Sequence, residues 1–398
     1  MARQSDANVT ANTDPRQTPS PLSPTPEGSA FRARLRELVR RAESCWYHPD
    51  MQRPWARRAA DAATAACGRQ RPDVLWVTGP PFSAFVAARE VSRRTGIPYV
   101  LDFRTSWTIV PSPFEAKRPW WAQRLDRRLL RSLLKHASAV VFFYAAEAEC
   151  FWRMYRDVLD PSRIHVIPNG FDGEVEPFAA PDTKKFTVLY TGTLADYDYD
   201  AFLEAVAAFV RRDPRRRDQT SIQFIGEQDP SIVARVTQLG LDDVVSVRPP
   251  LSHAAVTALQ RHADALLMLE RRPSQKGYEL LAGAKLFGYL KAGKPILGVL
   301  PHGVAERILR DVGVSTIAEA RSIGQIEAVL ELTFARWQDG TLNALVPDRS
   351  CCERYSGRAQ TAALVRALEG RPSEAPFVPG VNEVAPSLRQ EFAASGWV

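Results

Sequence analysis

The chain has 398 residues, more than the roughly 250–300 residues at which a single hydrophobic core stops growing, so two domains plus tails are expected. Hydrophobic residues make up 45% and charged residues 24% of the sequence, as in an average soluble globular protein. No run of apolar residues approaches the roughly 20 that a membrane-spanning helix needs, so no such helix is expected. The net charge of +7 favours anionic partners such as phosphorylated ligands, lipid head groups or nucleic acid.

The cysteines and the N-terminus indicate a cellular compartment. Cys45, Cys67, Cys150, Cys351 and Cys352 show neither a C-x-x-C spacing nor an even framework, so neither a metal site nor a disulfide scaffold is expected. No apolar stretch of the secretory-signal type follows the first charged residues. These features predict a cytoplasmic protein.

The two ends of the sequence differ from its middle. Residues 1–30 are rich in Pro, Ser, Thr and Asn and predict a disordered leader, because they hold too little apolar surface to offset the entropy of ordering. Residues 371–398 have a similar character and predict a loosely ordered tail. Residues 31–70 have a helical pattern.

Between the ends, short apolar runs alternate with helical patterns. The runs are rich in β-branched and aromatic residues, which is typical of strands. Successive strand and helix patterns give β-α-β units, which require a parallel sheet with helices on both faces. The predicted strands are 73–78, 99–102, 139–143, 164–167, 187–190, 222–225, 244–247, 265–269, 295–298 and 314–317.

The pattern starts afresh after residue 172, which predicts two units. We expect an α/β protein with two Rossmann-like, doubly wound domains facing each other across a cleft. The first domain is predicted over 31–172, the second over 173–350, and a C-terminal helix over 351–370. Ligands of such sheets bind at the carboxyl ends of the strands.

Glycine turns follow the first two strands of the second predicted domain. Gly192 and Thr193 close one strand, and Gly226 with Glu227 closes the next. A glycine there lets the backbone approach a ligand, and the following helix N-terminus attracts a phosphate. Many β-α turns hold a glycine for purely structural reasons, so the turns alone leave both interpretations open.

A longer constellation follows the predicted strand 265–269. A basic loop is followed by a short helix that starts at Gly283 and stops at Gly293 before Pro295. A diphosphate placed at the helix start would meet backbone N–H groups and cationic side chains together. The alternative is a plain α/β unit whose lysines face solvent. The candidate residues here are Glu270, Arg271, Lys276, Gly283, Lys285, Leu286 and Gly288.

The segment AKLFGYLKAGKPIL at 284–297 resembles the donor-site segment of family-4-like glycosyltransferases of the two-Rossmann, GT-B type. Residues 71–83 and 96–107 are similar to that family's acceptor-domain pattern. Residues 167–172 resemble its interdomain hinge, and 190–194 its first donor-domain loop. The resemblance covers about residues 71–370 in the family's order.

The resemblance implies transfer of a sugar from a nucleoside-diphosphate sugar to a hydroxyl of a polysaccharide or lipid-linked precursor. It implies a hexosyltransferase-like enzyme that retains anomeric configuration, with no metal and no cofactor besides the donor. The glycine turns and the constellation above would bind the donor, and Lys276, Lys285 or Arg271 would stabilise the leaving diphosphate. The acceptor-side candidates are Gly79, Pro80, Ser83 and Trp107, and Asp102 and Arg104 are the catalytic candidates that position the acceptor.

Three departures from the family pattern support an alternative. Gly288 stands where the family has a ribose-binding glutamate, and Thr105 where it often has an aspartate. The family's opening strand with its glycine-rich loop is not recognised, so the first sheet is expected to be about three strands short, with an exposed edge. The alternative is a non-catalytic, glycosyltransferase-like protein that binds a nucleotide or a partner enzyme.

Residues 118–135 combine leucines at helical spacing with arginines on the opposite face and Trp120 and Trp121 at one end. Such a helix can lie on an anionic membrane, or it can pack on the core with a solvated basic face. We therefore predict peripheral, charge-driven association with the inner face of the membrane. No nucleic-acid partner is expected, because only the net charge favours one and no aromatic-interleaved motif accompanies it.

Overall fold

The computed structural model of the protein describes residues 48–108, 120–180, 184–194, 197–226, 230–269, 280 and 282–380. One compact unit contains all of them. The predicted leader 1–30 and residues 381–398 of the predicted tail lie outside the described residues.

The first sheet has four parallel strands in chain order, with β1 at one edge and β4 at the other. The two central strands consist of apolar residues apart from Asp102, and every one of their residues is buried. The strands are β1 Leu75–Gly79, β2 Tyr99–Phe103, β3 Ala139–Phe142 and β4 Ile164–Val166. The accompanying helices are α1 Arg53–Arg69, α2 Ser83–Thr95, α3 Trp120–His136 and α4 Ala145–Tyr155, with a 3-10 turn at Pro161–Arg163.

The second sheet has six parallel strands in the order β10-β9-β8-β5-β6-β7. This is the doubly wound order, and it reverses between β5 and β8, where ligands of such sheets bind. The strands are β5 Phe186–Thr191, β6 Thr220–Ile225, β7 Val245–Arg248, β8 Ala265–Leu269, β9 Ile296–Leu300 and β10 Ile317–Glu319. The helices are α5 Asp200–Arg212, α6 Pro214–Gln219, α7 Pro230–Gln238, α8 His253–His262, α9 Ala284–Lys291, α10 Val304–Asp311 and α11 Ile323–Gln338.

Local sequence signals set several helix starts. The Asp213 side chain accepts from the Arg215 N–H at 2.9 Å, with Pro214 at the first helical position of α6. Ser252 caps α8 in the same way by accepting from the Ala255 N–H at 3.3 Å. Such caps satisfy N–H groups that have no partner within the helix.

The α/β fold class is confirmed, and all ten predicted strands are present in the described part of the chain. The largest shift concerns the last strand, predicted from residue 314 but starting at Ile317. The Val314 N–H donates to the Leu309 carbonyl at 2.9 Å, so residue 314 still belongs to the turn that ends α10.

The C-terminal segment returns to the first sheet. After a 3-10 turn at Leu342–Leu345 come α12 Arg349–Glu353 and α13 Gly357–Leu368. Ala367 of α13 is buried in one apolar cluster with Val100 and Val141 of the first sheet. The Gly357 N–H also donates to the Phe171 carbonyl at 2.7 Å. The sequence indicated this helix but not its place, and the predicted limits at 172 and 350 remain predictions.

Candidate functional site

Two glycine turns meet where the strand order of the second sheet reverses. Gly192 follows β5 with φ +125°, and Gly226 follows β6 with φ +151°. A Cβ added to Gly226 would lie 2.0 Å from the Gly192 carbonyl oxygen, so a side chain there is excluded. The two candidate glycines therefore form one tight backbone corner.

Lys285 lies directly beside this corner. Its Nζ is 4.0 Å from the Tyr190 ring centroid and 4.1 Å from that of Tyr197, and it also hydrogen-bonds the Tyr190 hydroxyl. A Cβ on Gly192 would lie 3.3 Å from Nζ. The aromatic faces thus hold the ammonium group at the end of β5, where the sequence predicted a donor-binding cation.

Tyr289 attaches α9 to the end of β5. Its fully buried hydroxyl accepts from the Thr191 N–H at 3.0 Å and lies 3.2 Å from the Thr191 hydroxyl. Gln260 of α8 donates to the same Thr191 hydroxyl at 3.2 Å. Burial raises the pKa of Tyr289 to about 12, so it stays neutral. Sequence reasoning treated Tyr289 only as part of a motif, although a hydroxyl on an otherwise apolar helix face was a readable signal.

The start of α9 is also held from the first sheet. Tyr144, at the end of β3, donates its hydroxyl hydrogen to the Ala282 carbonyl at 2.9 Å. Gly283 is the N-cap residue and makes no side-chain cap, and Leu286 is buried in the cluster that joins both sheets. The helix start is therefore fixed from two sides.

Gly288 lies on the exposed side of α9. Nothing lies within 4 Å of a Cβ added there, so no neighbour occupies the space in which a glutamate would stand.

The remaining donor candidates are Thr193 and four residues of the predicted loops. The backbone oxygen of Thr193 accepts from the Tyr190 hydroxyl at 2.7 Å. Four further donor candidates, Glu227, Glu270, Arg271 and Lys276, lie outside the described residues.

On the first sheet, Asp102 holds Arg104. The Asp102 carboxylate is fully buried and accepts from the Thr78 hydroxyl at 3.0 Å and from Arg104 Nε at 2.9 Å. The guanidinium lies 4.4 Å from the Phe143 ring centroid, and its side chain is 27% exposed. Asp102 therefore has no exposed surface, and its role in positioning an acceptor stays a prediction. Asp102 positions Arg104, which reaches the surface.

A buried carboxyl that sequence reasoning missed lies behind Arg104. Glu147, in the first turn of α4, has no exposed surface. Burial raises the pKa of Glu147 to about 7, and Ser106, the Phe143 backbone and Arg104 act in the opposite direction. A carboxylate in the first turn of a helix that follows a strand is a recognisable signal.

Most of the predicted acceptor-side residues support the sheet instead of lining a cleft. Trp107 is 2% exposed and stacks on Phe82 with ring centroids 4.4 Å apart. Ser83 is buried, and its N–H donates to Asp50 at 2.8 Å. A Cβ on Gly79 would lie 2.6 Å from the Phe85 ring. Trp107 and Ser83 are therefore buried, whereas Pro80 is exposed, and the assignment of these residues to the acceptor side stays a prediction.

Arg104 opens into a cavity of about 250 Å³. Trp76 of β1, which is 49% exposed, and residues of α13 line the same space. The polar lining residues are Arg104, Asn169, Asp172, Gln360 and Thr361.

The basic helix predicted over 118–135 is α3, described from Trp120. Leu130, Leu133 and Leu134 are buried in the core, while Trp120 and Leu125 are exposed. Most of its apolar face is thus used by the fold. None of the described helices is long and apolar enough to cross a membrane. Within the same residues, no group of three or more His, Cys, Asp or Glu side chains could hold a metal ion.

One family model matches the first part of the chain. Residues 3–170 match the model of the glycosyl transferase 4-like domain. The chain is 25% identical over 307 residues to the alpha-maltose-1-phosphate synthase of Mycolicibacterium smegmatis, covering 75% of this chain and 69% of that protein. It is also 25% identical over 212 residues to the D-inositol 3-phosphate glycosyltransferase of Frankia alni, covering about half of each, 48% and 49%.

Solved structures show the same fold. Sucrose-phosphate synthase from Thermosynechococcus elongatus superimposes with a TM-score of 0.54 at 14% identity, covering 86% of this chain and 80% of its own. A UDP-forming trehalose-phosphate synthase from Burkholderia xenovorans gives 0.53 at 11% identity, covering 79% and 77%. The lipopolysaccharide outer core galactosyltransferase WaaB gives 0.51 at 13% identity, covering 79% and 80%. The resemblance to the two-Rossmann, GT-B type is confirmed.

Proposed function

We propose that this GT-B-type chain, whose residues 3–170 match the model of the glycosyl transferase 4-like domain, moves a sugar from a nucleoside-diphosphate sugar to a hydroxyl acceptor. The observation that carries the proposal is the position of Lys285. It lies beside the Gly192 corner at the reversal point of the second sheet, next to the start of α9. A diphosphate there meets a cation, backbone amides and a helix N-terminus.

The relatives support a sugar donor of this kind. Two curated proteins with which the chain shares 25% identity are named as a maltose-phosphate synthase and an inositol-phosphate glycosyltransferase. A nucleoside-diphosphate donor is consistent with the UDP-forming synthase that shares the fold.

In the proposed reaction, the bond between the anomeric carbon and the donor diphosphate oxygen breaks, and the acceptor oxygen bonds to that carbon. The acceptor hydroxyl releases its proton, and the nucleoside diphosphate leaves with the electron pair. Lys285 and the α9 start stabilise the negative charge that grows on the leaving diphosphate. Arg271 and Lys276 belong to the same proposal. Catalysis then rests on positioning and charge stabilisation, with retained configuration and no metal.

The acceptor would lie on the side of the first sheet. Arg104, held by Asp102, faces the cavity of about 250 Å³ that Trp76 and Gln360 also line. A guanidinium and an exposed indole suit a hydroxyl-rich sugar, on a glycan or a lipid-linked precursor. Association with the inner face of the membrane through residues 118–135 stays part of the proposal. Absence of binding to anionic vesicles at low salt would remove that part.

A thermal-shift panel of uridine, guanosine and adenosine diphosphate sugars tests donor binding. A ligand at ~100 times its dissociation constant stabilises the folded protein by about 2.7 kcal/mol. We expect one nucleotide to raise Tm in the wild-type protein and the Lys285→Ala variant to lose that shift. Lys184→Ala removes an exposed lysine at the start of β5 and should keep it. No shift with any nucleotide, or equal shifts in both variants, contradicts the proposal.

Gly288 favours a second candidate, a non-catalytic nucleotide-binding protein, because a ribose-binding carboxylate is absent from that position. Incubation with the nucleotide that raises Tm separates the two. Release of nucleoside diphosphate that depends on an added sugar acceptor indicates transfer. Binding without release across a panel of mono- and oligosaccharide acceptors indicates the second candidate.

A further inference from the structure

A groove of about 430 Å³ runs between α1 and α2, away from the residues of the proposed donor site. Small residues, Ala56 and Ala60 of α1 and Ala87 of α2, leave this space between the helices. The charged residues that line it are Arg53, Arg57, Asp61, Arg89, Glu90, Arg93 and Arg94.

Two of the five arginines are neutralised locally. Arg93 and Arg94 both contact Glu90, at 2.8 Å and 2.7 Å, and Arg94 also contacts Asp61 at 2.6 Å. These contacts use both carboxylates that line the groove.

The other three arginines, Arg53, Arg57 and Arg89, have no ion pair with any residue that the structure describes. Arg53 and Arg57 are four residues apart on α1, so they are neighbours of like charge on one helix face. Partial burial and the charge of Arg57 lower the pKa of Arg53, while the carboxylate of Asp50 acts in the opposite direction. The groove thus concentrates positive charge that its two lining carboxylates and the nearby Asp50 offset only in part.

We propose that this groove binds a phosphate-bearing anion. Guanidinium groups pair with phosphate oxygens in a planar, two-pronged geometry, and three of them converge on one space from two helices. The volume is within the roughly 300–1,000 Å³ of small-molecule sites. The anion would offset the positive charge of Arg53, Arg57 and Arg89 in the groove. The ligand is either a free phosphorylated molecule or the head group of an anionic lipid.

This inference does not depend on the proposed transfer reaction, because neither Lys285 nor Arg104 lines the groove. Failure of donor binding leaves it intact, and loss of the groove should leave donor binding unchanged.

The test compares two triple variants of equal charge. The groove variant is Arg53→Gln, Arg57→Gln and Arg89→Gln. The control is Arg307→Gln, Arg336→Gln and Arg358→Gln, which replaces three exposed arginines elsewhere that also have no ion pair in the described part of the chain. Binding is measured by calorimetry with inorganic pyrophosphate, and by sedimentation with vesicles of equal parts phosphatidylglycerol and phosphatidylcholine.

We expect the groove variant to bind at least about tenfold more weakly than the wild-type protein, and the control to change less than about twofold. A loss seen with pyrophosphate indicates a free ligand, and a loss seen only with vesicles indicates a lipid head group. Without ligand, the groove variant should keep or raise Tm because like-charge repulsion is removed.

Three results would overturn the proposal. The first is that neither probe binds the wild-type protein. The second is equal weakening in both variants, which would indicate only overall charge. The third is a groove variant whose ligand-free Tm falls by several degrees, since that would make these arginines structural.

Discussion

Gly288 and Glu147 differ in how much room the fold leaves for a side chain. Gly288 leaves open space on α9 where no neighbour interferes with a side chain. Glu147 instead fills a fully buried position behind Arg104. The first position lacks a carboxylate that could accept from a sugar hydroxyl, and the second holds a carboxyl where ionisation is costly.

We expect Gly288→Glu to strengthen binding of the nucleotide selected in the thermal-shift panel, because it adds an acceptor oxygen on the exposed side of α9. It should also stabilise the helix by up to about 1 kcal/mol. Calorimetric Kd values and Tm measure the two effects. Gly324→Glu adds the same charge to another exposed helical glycine. If both variants bind the nucleotide equally, Gly288 has no part in donor recognition.

The raised pKa of Glu147 makes its effect on stability depend on pH. The pKa of Glu147 in the folded protein is about 7, above its usual value of 4.5. Between pH 4.5 and pH 7, Glu147 is protonated in the folded protein and ionised in the unfolded chain. Unfolding therefore releases a proton in this range, and the free energy of unfolding falls as the pH rises to 7. Glu147→Gln removes this ionisable group. The free energy of unfolding of the variant should therefore exceed that of the wild-type protein by on the order of 2–3 kcal/mol at pH 8 and by little at pH 4.5.

Urea unfolding at both pH values measures this difference. Glu319→Gln, at an exposed carboxylate, is the control and should show no pH-dependent difference. A Glu147→Gln effect of equal size at pH 4.5 and pH 8 would mean that ionisation of Glu147 is not the cause.

At the scale of elements, α9 is the element that joins the two sheets. Tyr289 connects it to β5, and Tyr144 connects its start to the end of β3. Helical spacing and the flanking glycines were enough to predict this helix, including its start at Gly283. The two tyrosine contacts were beyond prediction, because residues 98 and 138 positions apart meet in them and no local pattern encodes such pairs.

Tyr289→Phe leaves the buried Thr191 N–H without its acceptor, which should cost about 1–3 kcal/mol. Donor affinity should also fall, because the start of α9 loses its attachment to β5. Urea unfolding and nucleotide titration measure both. Tyr355→Phe changes a tyrosine that packs on Phe287 of α9. If Tyr289→Phe lowers the free energy of unfolding less than Tyr355→Phe does, the hydrogen bond between the Thr191 N–H and Tyr289 contributes little to stability.

At the scale of the molecule, α13 covers part of the first sheet, which lies far from it in the sequence. Its buried Ala367 contacts the cluster of Val100 and Val141. Short apolar runs predicted every strand, since buried parallel strands are continuous apolar runs. The same signal did not show which sheet α13 covers, or that Trp107 is buried, because both depend on packing between distant segments.

Ala367→Asp places a charge in that cluster and should lower the free energy of unfolding by about 3–5 kcal/mol, as for an unpaired buried charge. Ala362→Asp changes an exposed position on the same helix and should have little effect. Urea unfolding followed by tryptophan fluorescence measures both. Equal stability of the two variants would mean that α13 is not docked on the first sheet in solution.

The return of α13 also bears on how the protein is made. A ribosome synthesises the chain from its N-terminus, and N-terminal domains commonly fold first. Here β1 to β4 emerge before residue 170, yet part of their apolar cover is Leu364 and Ala367. Nearly two hundred residues must be translated in between. We therefore expect one face of the first sheet to stay partly uncovered until α13 has been synthesised, which would expose apolar residues to chaperones.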